Sequence, residues 1–197
     1  SELWKDVGVL HLTGITPVLS ESCQRAVEKA FFEAECRGLP ISFDPNIRCK
    51  LWGPRDYTPL LRTLSLRSTL LLLGIDEAKA IFGTREPIQI ADAVFSNGNA
   101  EVIALKNGAH GSIILPRGQA PIHIAPWPCH CVEPIGAGDA FNAGFLAGWM
   151  QRRDWAICGR MGTIAGAMAT EVRGDIEGTP TQQQLEKALQ GSAEIYR

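Results

Sequence analysis

The 197-residue chain is long enough for one sizeable α/β domain. Its 45% hydrophobic and 20% charged residues are ordinary for a globular protein, and a net charge of −2 gives no electrostatic case for nucleic acid or an anionic membrane surface. Apolar runs such as Leu70 to Leu73 are far too short to span a bilayer.

The mixed polar start, Ser1 to Asp6, is not the pattern of a signal peptide, so a cytoplasmic setting is expected. Six cysteines, Cys23, Cys36, Cys49, Cys129, Cys131 and Cys158, are scattered and predict free thiols rather than a disulfide framework. Cys129-His130-Cys131 lacks the second ligand pair that a structural metal site uses.

In chain order, Val7 to Leu12 reads as a buried strand, nearly continuous in apolar character. Thr13 to Pro17 breaks it. Ser20 or Ser22 caps a helix that runs to about Cys36, buries Val27, Ala30, Phe31 and Ala34, and stops at Gly38. Pro40 to Asp44 forms the next strand. Strand, helix and strand with short connections predict a parallel sheet, whose binding loops gather at the carboxyl ends of the strands. Asp44-Pro45-Asn46-Ile47-Arg48 occupies such an end. Arg48 suits a bidentate grip on a carboxylate or phosphate, and a turn with a solvated Arg is the plainer alternative.

A helix over Asp56 to Ser65, a strand over Thr69 to Leu73, and helices over Glu77 to Phe82 and Ile88 to Ser96 follow. The strand Val102 to Lys106 ends at Asn107-Gly108-Ala109-His110-Gly111. This Gly-bracketed turn either allows close backbone approach to a ligand or is a bare hairpin. Ser112 to Leu115 and Ile122 to Ala125 are short strands. Later, Phe141, Phe145, Leu146 and Trp149 recur at helical spacing as core residues. Trp155 to Thr170 is a second helix, rich in Ala and Gly for close packing. Gly174 to Pro180 is a loop, and Thr181 caps a final helix, Gln182 to Leu189.

The stretch that carries most chemistry is Gly136-Ala137-Gly138-Asp139, read as the lead into a helix from Ala140 to Met150. Helix N-termini leave backbone N–H groups unpaired, and the small residues Gly136, Ala137 and Gly138 let those groups close on a phosphate. Asp139 stands where a carboxylate accepts a proton from a substrate hydroxyl. An anion hole beside a base points to phosphoryl transfer. An Asp helix cap behind a Gly turn is the plainer reading.

With Phe141 and Gly144, this run resembles the signature of the ribokinase-like carbohydrate kinases, and it lacks the Lys-Ser/Thr ending of a P-loop. Phe43-Asp44-Pro45-Asn46-Ile47-Arg48, then Leu51-Trp52, resembles the corresponding segment of the 2-keto-3-deoxygluconate kinases. The resemblance implies a ribokinase-like three-layer α/β/α (Rossmann-type) sandwich with a mostly parallel sheet. It implies ATP and Mg²⁺ as cofactors and a small-molecule sugar or sugar acid, foremost 2-keto-3-deoxygluconate, as phosphate acceptor. Within the family, fructokinase or nucleoside kinase is the alternative. Outside it stand a non-catalytic nucleotide-binding module and a remnant unable to fold.

By the same resemblance, Asp139 is the base and Gly136, Ala137 and Gly138 are the anion hole. Arg48, with Asp44 and Asn46, holds the substrate. Lys106, Asn107, Gly108 and Gly111 join Gly136 and Gly138 at the nucleotide. Glu77 matches the Glu of the family's Asn-x-x-Glu motif, with Gly74 in the place of Asn, and would serve Mg²⁺ through water. As a bare residue it reads equally as a first-turn helix acid. Glu133 and Ile135 depart from the residues that usually precede the signature, so no monovalent cation site is expected.

The match covers nearly the whole chain but only the later part of a family member. Neither the Gly-rich substrate strands nor the β-lid of the family stands before Val7. The expectation is therefore a single α/β nucleotide-binding domain over residues 1–197, the C-terminal portion of a sugar kinase. A missing N-terminal half or a partner would complete it, and a homo-oligomer paired through the lid is left without support.

Overall fold

The computed structural model describes Trp4 to Gly174 and Ile176 to Ile195. Ser1, Glu2 and Leu3 of the polar start, and Asp175 of the expected loop, lie outside the described residues. Among the described residues, six strands form one sheet in the order β1-β2-β3-β4-β5-β6. They are β1 (Leu10–Thr13), β2 (Ile41–Asp44), β3 (Leu70–Gly74), β4 (Val102–Lys106), β5 (Ser112–Pro116) and β6 (Ile122–Ile124). β1, β2 and β3 pair in parallel, and β5 pairs antiparallel with β6. The α-helices are α1 (Thr16–Leu19), α2 (Glu21–Cys36), α3 (Thr58–Arg67), α4 (Ile75–Phe82), α5 (Pro87–Phe95), α6 (Ala137–Met150), α7 (Trp155–Ala169) and α8 (Gln182–Ile195). None of the described helices is long and apolar enough to cross a membrane.

The chain divides into two compact units: Ser1–Leu105 with Leu115–Pro121, and Lys106–Ile114 with Ile122–Arg197. In the first unit, β2 and β3 form the centre. Ile41, Phe43 and Leu70 to Leu73 are fully or almost fully buried, as both faces of a parallel strand require. Phe31 of α2 meets Phe43 edge-on at 5.7 Å, and Leu61 and Leu64 of α3 bury beside them. Ser20 caps α2, its Oγ accepting the Cys23 N–H at 3.1 Å. Gly83, at φ 82°, ends α4 in the left-handed conformation that glycine adopts without strain.

Several boundaries differ from expectation. β1 begins at Leu10 rather than Val7, because its register starts with Leu10 opposite Ile41, the first residue of β2. The expected break after β1 contains the short helix α1. α3 starts at Thr58 because Asp56 is spent on the turn before it, its Oδ1 accepting the Thr58 N–H at 2.9 Å. Ala30 is half-buried rather than buried.

Arg117 holds the end of α5 in this unit. Its guanidinium donates to the carbonyls of Phe95, Gly98 and Ala100, each at 2.8 Å, while lying 4.7 Å over the Phe95 ring.

In the second unit, α6 and α7 pack antiparallel along a seam of small residues. A Cβ on Gly144 would lie 2.6 Å from the Met161 carbonyl oxygen, and one on Gly166 would lie 3.0 Å from that of Ala137. Bulk at Gly144 forces a shift between the helices and at Gly166 makes a tight contact, so glycine at Gly144 sets their spacing. Phe141, Phe145 and Trp155 stack in a row at 6.2 and 6.3 Å. Thr181 and Gln184 exchange caps at the start of α8, Thr181 N–H donating to Gln184 Oε1 at 2.8 Å and Gln184 N–H to Thr181 Oγ1 at 3.3 Å.

Candidate active site

In the first unit, the loop after β2 is bound at every turn. Asp44 is buried and its Oδ1 accepts the Asn46 N–H at 3.1 Å, an Asx turn. Asn46, also buried, takes φ 38°, a conformation that Asn tolerates better than most residues. Glu77, at the start of α4, accepts the Ile47 N–H at 2.8 Å on one oxygen and the Gly74 N–H at 2.6 Å on the other. It therefore both closes its own helix and ties the loop down. Arg48, next in line, is exposed, and its guanidinium donates to the Ile47 carbonyl at 3.2 Å. Asp44, Asn46 and Glu77 are thus brought together around the backbone, and Arg48 projects from the frame they build.

Gly14 is placed by the sequence only in the break that follows the first strand. It is a structural partner of the same loop: its N–H donates to the Asp44 carbonyl at 2.8 Å, and a Cβ there would fall 2.0 Å from the Pro45 carbonyl oxygen. No local signal marks it, since the contact bridges thirty positions.

In the second unit, a cavity of about 640 Å³ is lined by Lys106, Gly108, Gly111, Ala137 and Gly138 among the expected residues. Trp127, Cys129, Cys131, Thr163 and Thr170 complete much of its wall. Gly136 and Asp139 flank the lining, and Asn107 closes the adjoining turn, its N–H donating to the Gly111 carbonyl at 2.9 Å. Gly111 is demanded by the fold: at φ 83° its Cβ would strike the Ile124 carbonyl oxygen at 2.1 Å. Gly108, at φ 53°, has open space around it.

The helix expected to begin at Ala140 begins at Ala137, so Asp139 belongs to its first turn. Gly136 makes this possible by adopting φ 77° as the N-cap. The Ala137 N–H reaches the Pro134 carbonyl at 3.4 Å, and Ala140 N–H already closes on Gly136 at 2.9 Å. The N–H groups between them, on Gly138 and Asp139, are the ones a helix start leaves for an anion. Lys106 adds charge nearby: its Nζ would lie 3.8 Å from a Cβ on Gly138, and it donates to Asn142 Oδ1 at 3.3 Å. Asn142 is buried one turn along from Asp139 and orients that lysine, a role its sequence position did not disclose. The Asp139 carboxylate is exposed.

Thr163 faces the cavity with its hydroxyl engaged by Ser112 at 2.9 Å, a pair fifty-one positions apart. Among the described residues, no three His, Cys, Asp or Glu side chains gather into a metal cage. Cys129 instead sits against Thr170, whose Oγ1 points to its sulfur at 3.7 Å.

The sheet and its helices define a ribokinase-like α/β fold. The chain superposes with a TM-score of 0.87 on a structure titled as a putative ribokinase II from E. coli in complex with ATP and Mg²⁺, at 24% identity over 96% of this chain and 61% of that one. The family described as pfkB family carbohydrate kinase matches residues 1–182, and the chain belongs to that family. It is 31% identical over 191 residues to a 2-dehydro-3-deoxygluconokinase from Thermoproteus tenax, covering 96% of this chain and 57% of the relative. It is 30% identical over 190 residues to a fructokinase from Escherichia coli, covering 93% and 61%. The chain thus spans about three-fifths of the length of the relatives it matches.

Proposed function

We propose that this chain carries the nucleotide-binding and proton-accepting residues of an ATP-dependent kinase for a sugar acid of the 2-keto-3-deoxygluconate type. The observation that carries the proposal is the start of α6, where unpaired N–H groups, the Lys106 ammonium and an exposed carboxylate meet beside a roomy cavity. Phosphoryl transfer asks of a protein mainly position and charge stabilisation, and this end of the second unit offers both. Asp139 takes the proton of the acceptor hydroxyl. The freed oxygen attacks the γ-phosphorus, the bond to the β,γ-bridging oxygen breaks, and ADP leaves with that electron pair. The Gly138 and Asp139 N–H groups, in the small-residue run from Gly136, bind phosphate oxygens, and Lys106 adds a positive charge.

Mg²⁺ would neutralise phosphate charge, taking its ligands chiefly from phosphates and water. Glu77 suits an outer-shell role rather than direct ligation, because both its oxygens already accept backbone N–H groups. Arg48 would orient the substrate carboxylate. The free cysteines fit a cytoplasmic setting.

Fructose as acceptor is the second reading, favoured by the fructokinase relative at nearly equal identity. ADP release from the full-length protein with ATP and Mg²⁺ tests both, with 2-keto-3-deoxygluconate, fructose and adenosine as rival acceptors. Asp139→Asn is expected to lower turnover by about 10²–10⁴-fold while nucleotide binding survives. Unchanged turnover removes Asp139 from the role of base. ATP binding without acceptor-dependent ADP release makes the protein a non-catalytic nucleotide-binding module.

A further inference from the structure

We propose that Cys129 and Cys131 form a thiol-modification site on the wall of the second unit's cavity, where a mixed disulfide with a small-molecule thiol shuts out the nucleotide. The inference rests on the nucleotide reading of that cavity. Both cysteines are exposed, and both line it.

The segment that carries them is fastened to the end of α7. The N–H groups of Val132 and Glu133 both donate to the Thr170 carbonyl, at 2.8 and 3.0 Å. The His130 N–H donates to Glu171 Oε1 at 3.3 Å, and the Thr170 hydroxyl meets Cys129 Sγ. With backbone held on either side of Cys131, the segment keeps both cysteines on the cavity wall, and a group attached to either is kept at the place a nucleotide would need.

The other cysteines make this pair distinctive. Cys158 is fully buried, and burial, with a smaller push from the Asp154 charge, raises its thiol to about 11, leaving little thiolate at neutral pH. Cys36 and Cys49 are exposed but belong to the first unit, and Cys23 is half-buried there.

The chemistry is thiol–disulfide exchange with a low-molecular-weight disulfide such as glutathione disulfide. A Cys129 or Cys131 thiolate attacks one sulfur, the new S–S bond forms, and the original S–S bond breaks. The departing thiolate then takes up a proton, and excess free thiol reverses the exchange.

The test incubates the full-length protein with glutathione disulfide, with and without saturating ATP, maps adducts by peptide mass spectrometry, and measures ATP affinity calorimetrically. The expected result is adducts on Cys129 or Cys131, formed at least tenfold more slowly under ATP. ATP affinity should fall at least tenfold after modification and return with dithiothreitol. A Cys129→Ser/Cys131→Ser variant, measured against its own untreated sample, should lose the response, while Cys36→Ser/Cys49→Ser keeps it. Adducts at the pair that leave affinity unchanged and form regardless of ATP overturn the inference alone. Untreated protein that binds no ATP overturns the reading of the cavity, and this inference with it.

Discussion

Two acidic residues in the first turns of helices, Glu77 and Asp139, stand in opposite circumstances. Glu77 is half-buried, and both oxygens accept backbone N–H groups, so its charge is consumed in holding a loop. Asp139 is exposed beside N–H groups that the helix start leaves open. The glycines at the two places differ in the same way. Gly14 is packed so tightly that a methyl group would collide with the Pro45 carbonyl, whereas a methyl on Gly138 would meet only the Lys106 ammonium at ordinary contact distance. The loop after β2 uses its special residues to fix backbone, and the start of α6 keeps them available.

Substitutions can break or sharpen this contrast. Gly14→Ala should have the largest effect on stability, about 3 kcal/mol, because backbone rather than a mobile side chain blocks the new methyl. A fall in Tm of roughly 6–12 °C by calorimetry is expected. An unchanged Tm would mean that the loop after β2 yields freely. Glu77→Ala should cost about 2 kcal/mol, since two N–H groups lose a charged acceptor, and urea titration measures it. A stable Glu77→Ala protein that fails only in Mg²⁺-dependent turnover would reverse the contrast and make Glu77 a functional acid first.

Gly138→Ala should leave Tm within about 1 °C, as alanine suits a helix better than glycine. Yet its methyl stands where a phosphate would approach, so ATP affinity should fall about tenfold, equivalent to about 1.4 kcal/mol. Equal affinity would detach the start of α6 from the nucleotide.

The smallest effect concerns a pair that serves only the frame of the first unit. Arg67 donates to both oxygens of Glu35, at 2.8 and 2.7 Å, and holds that carboxyl below its usual 4.5. The folded state thus binds the Glu35 proton more weakly than the unfolded state. Its stabilisation is full above the unfolded value and is lost as pH falls through the folded one. For so exposed a pair the contribution is about 0.5 kcal/mol. The difference in stability between wild type and Glu35→Gln should hold steady near neutral pH and vanish in acid, below 4.5.

Elements written in local pattern were legible from the sequence. β4 and the start of α8 with its Thr181 cap agree with expectation, because apolar runs and capping residues act within a few positions. The Gly136 to Asp139 run was legible as chemistry, although its helix starts three residues early. Gly136 behaves as a cap only because it turns left-handed, and glycine leaves no side-chain trace of that choice. Arg117, Asn142 and the Ser112–Thr163 pair were not legible. Each acts on residues brought near by the fold, so spacing along the chain holds no record of the contact.

The seam between α6 and α7 bears on how the molecule comes to exist. The two helices are sequence neighbours joined by a turn of four residues, and glycines on each let the other approach closely. Contacts so local carry a small loop-closure penalty and form fast. During synthesis this hairpin can settle soon after α7 emerges, while strand pairings of longer sequence separation must wait for their partners. The side of the cavity that α6 and α7 supply is thus among the quickest parts of the chain to assemble, while Lys106, Gly108 and Gly111 must be brought to it from farther along the sequence.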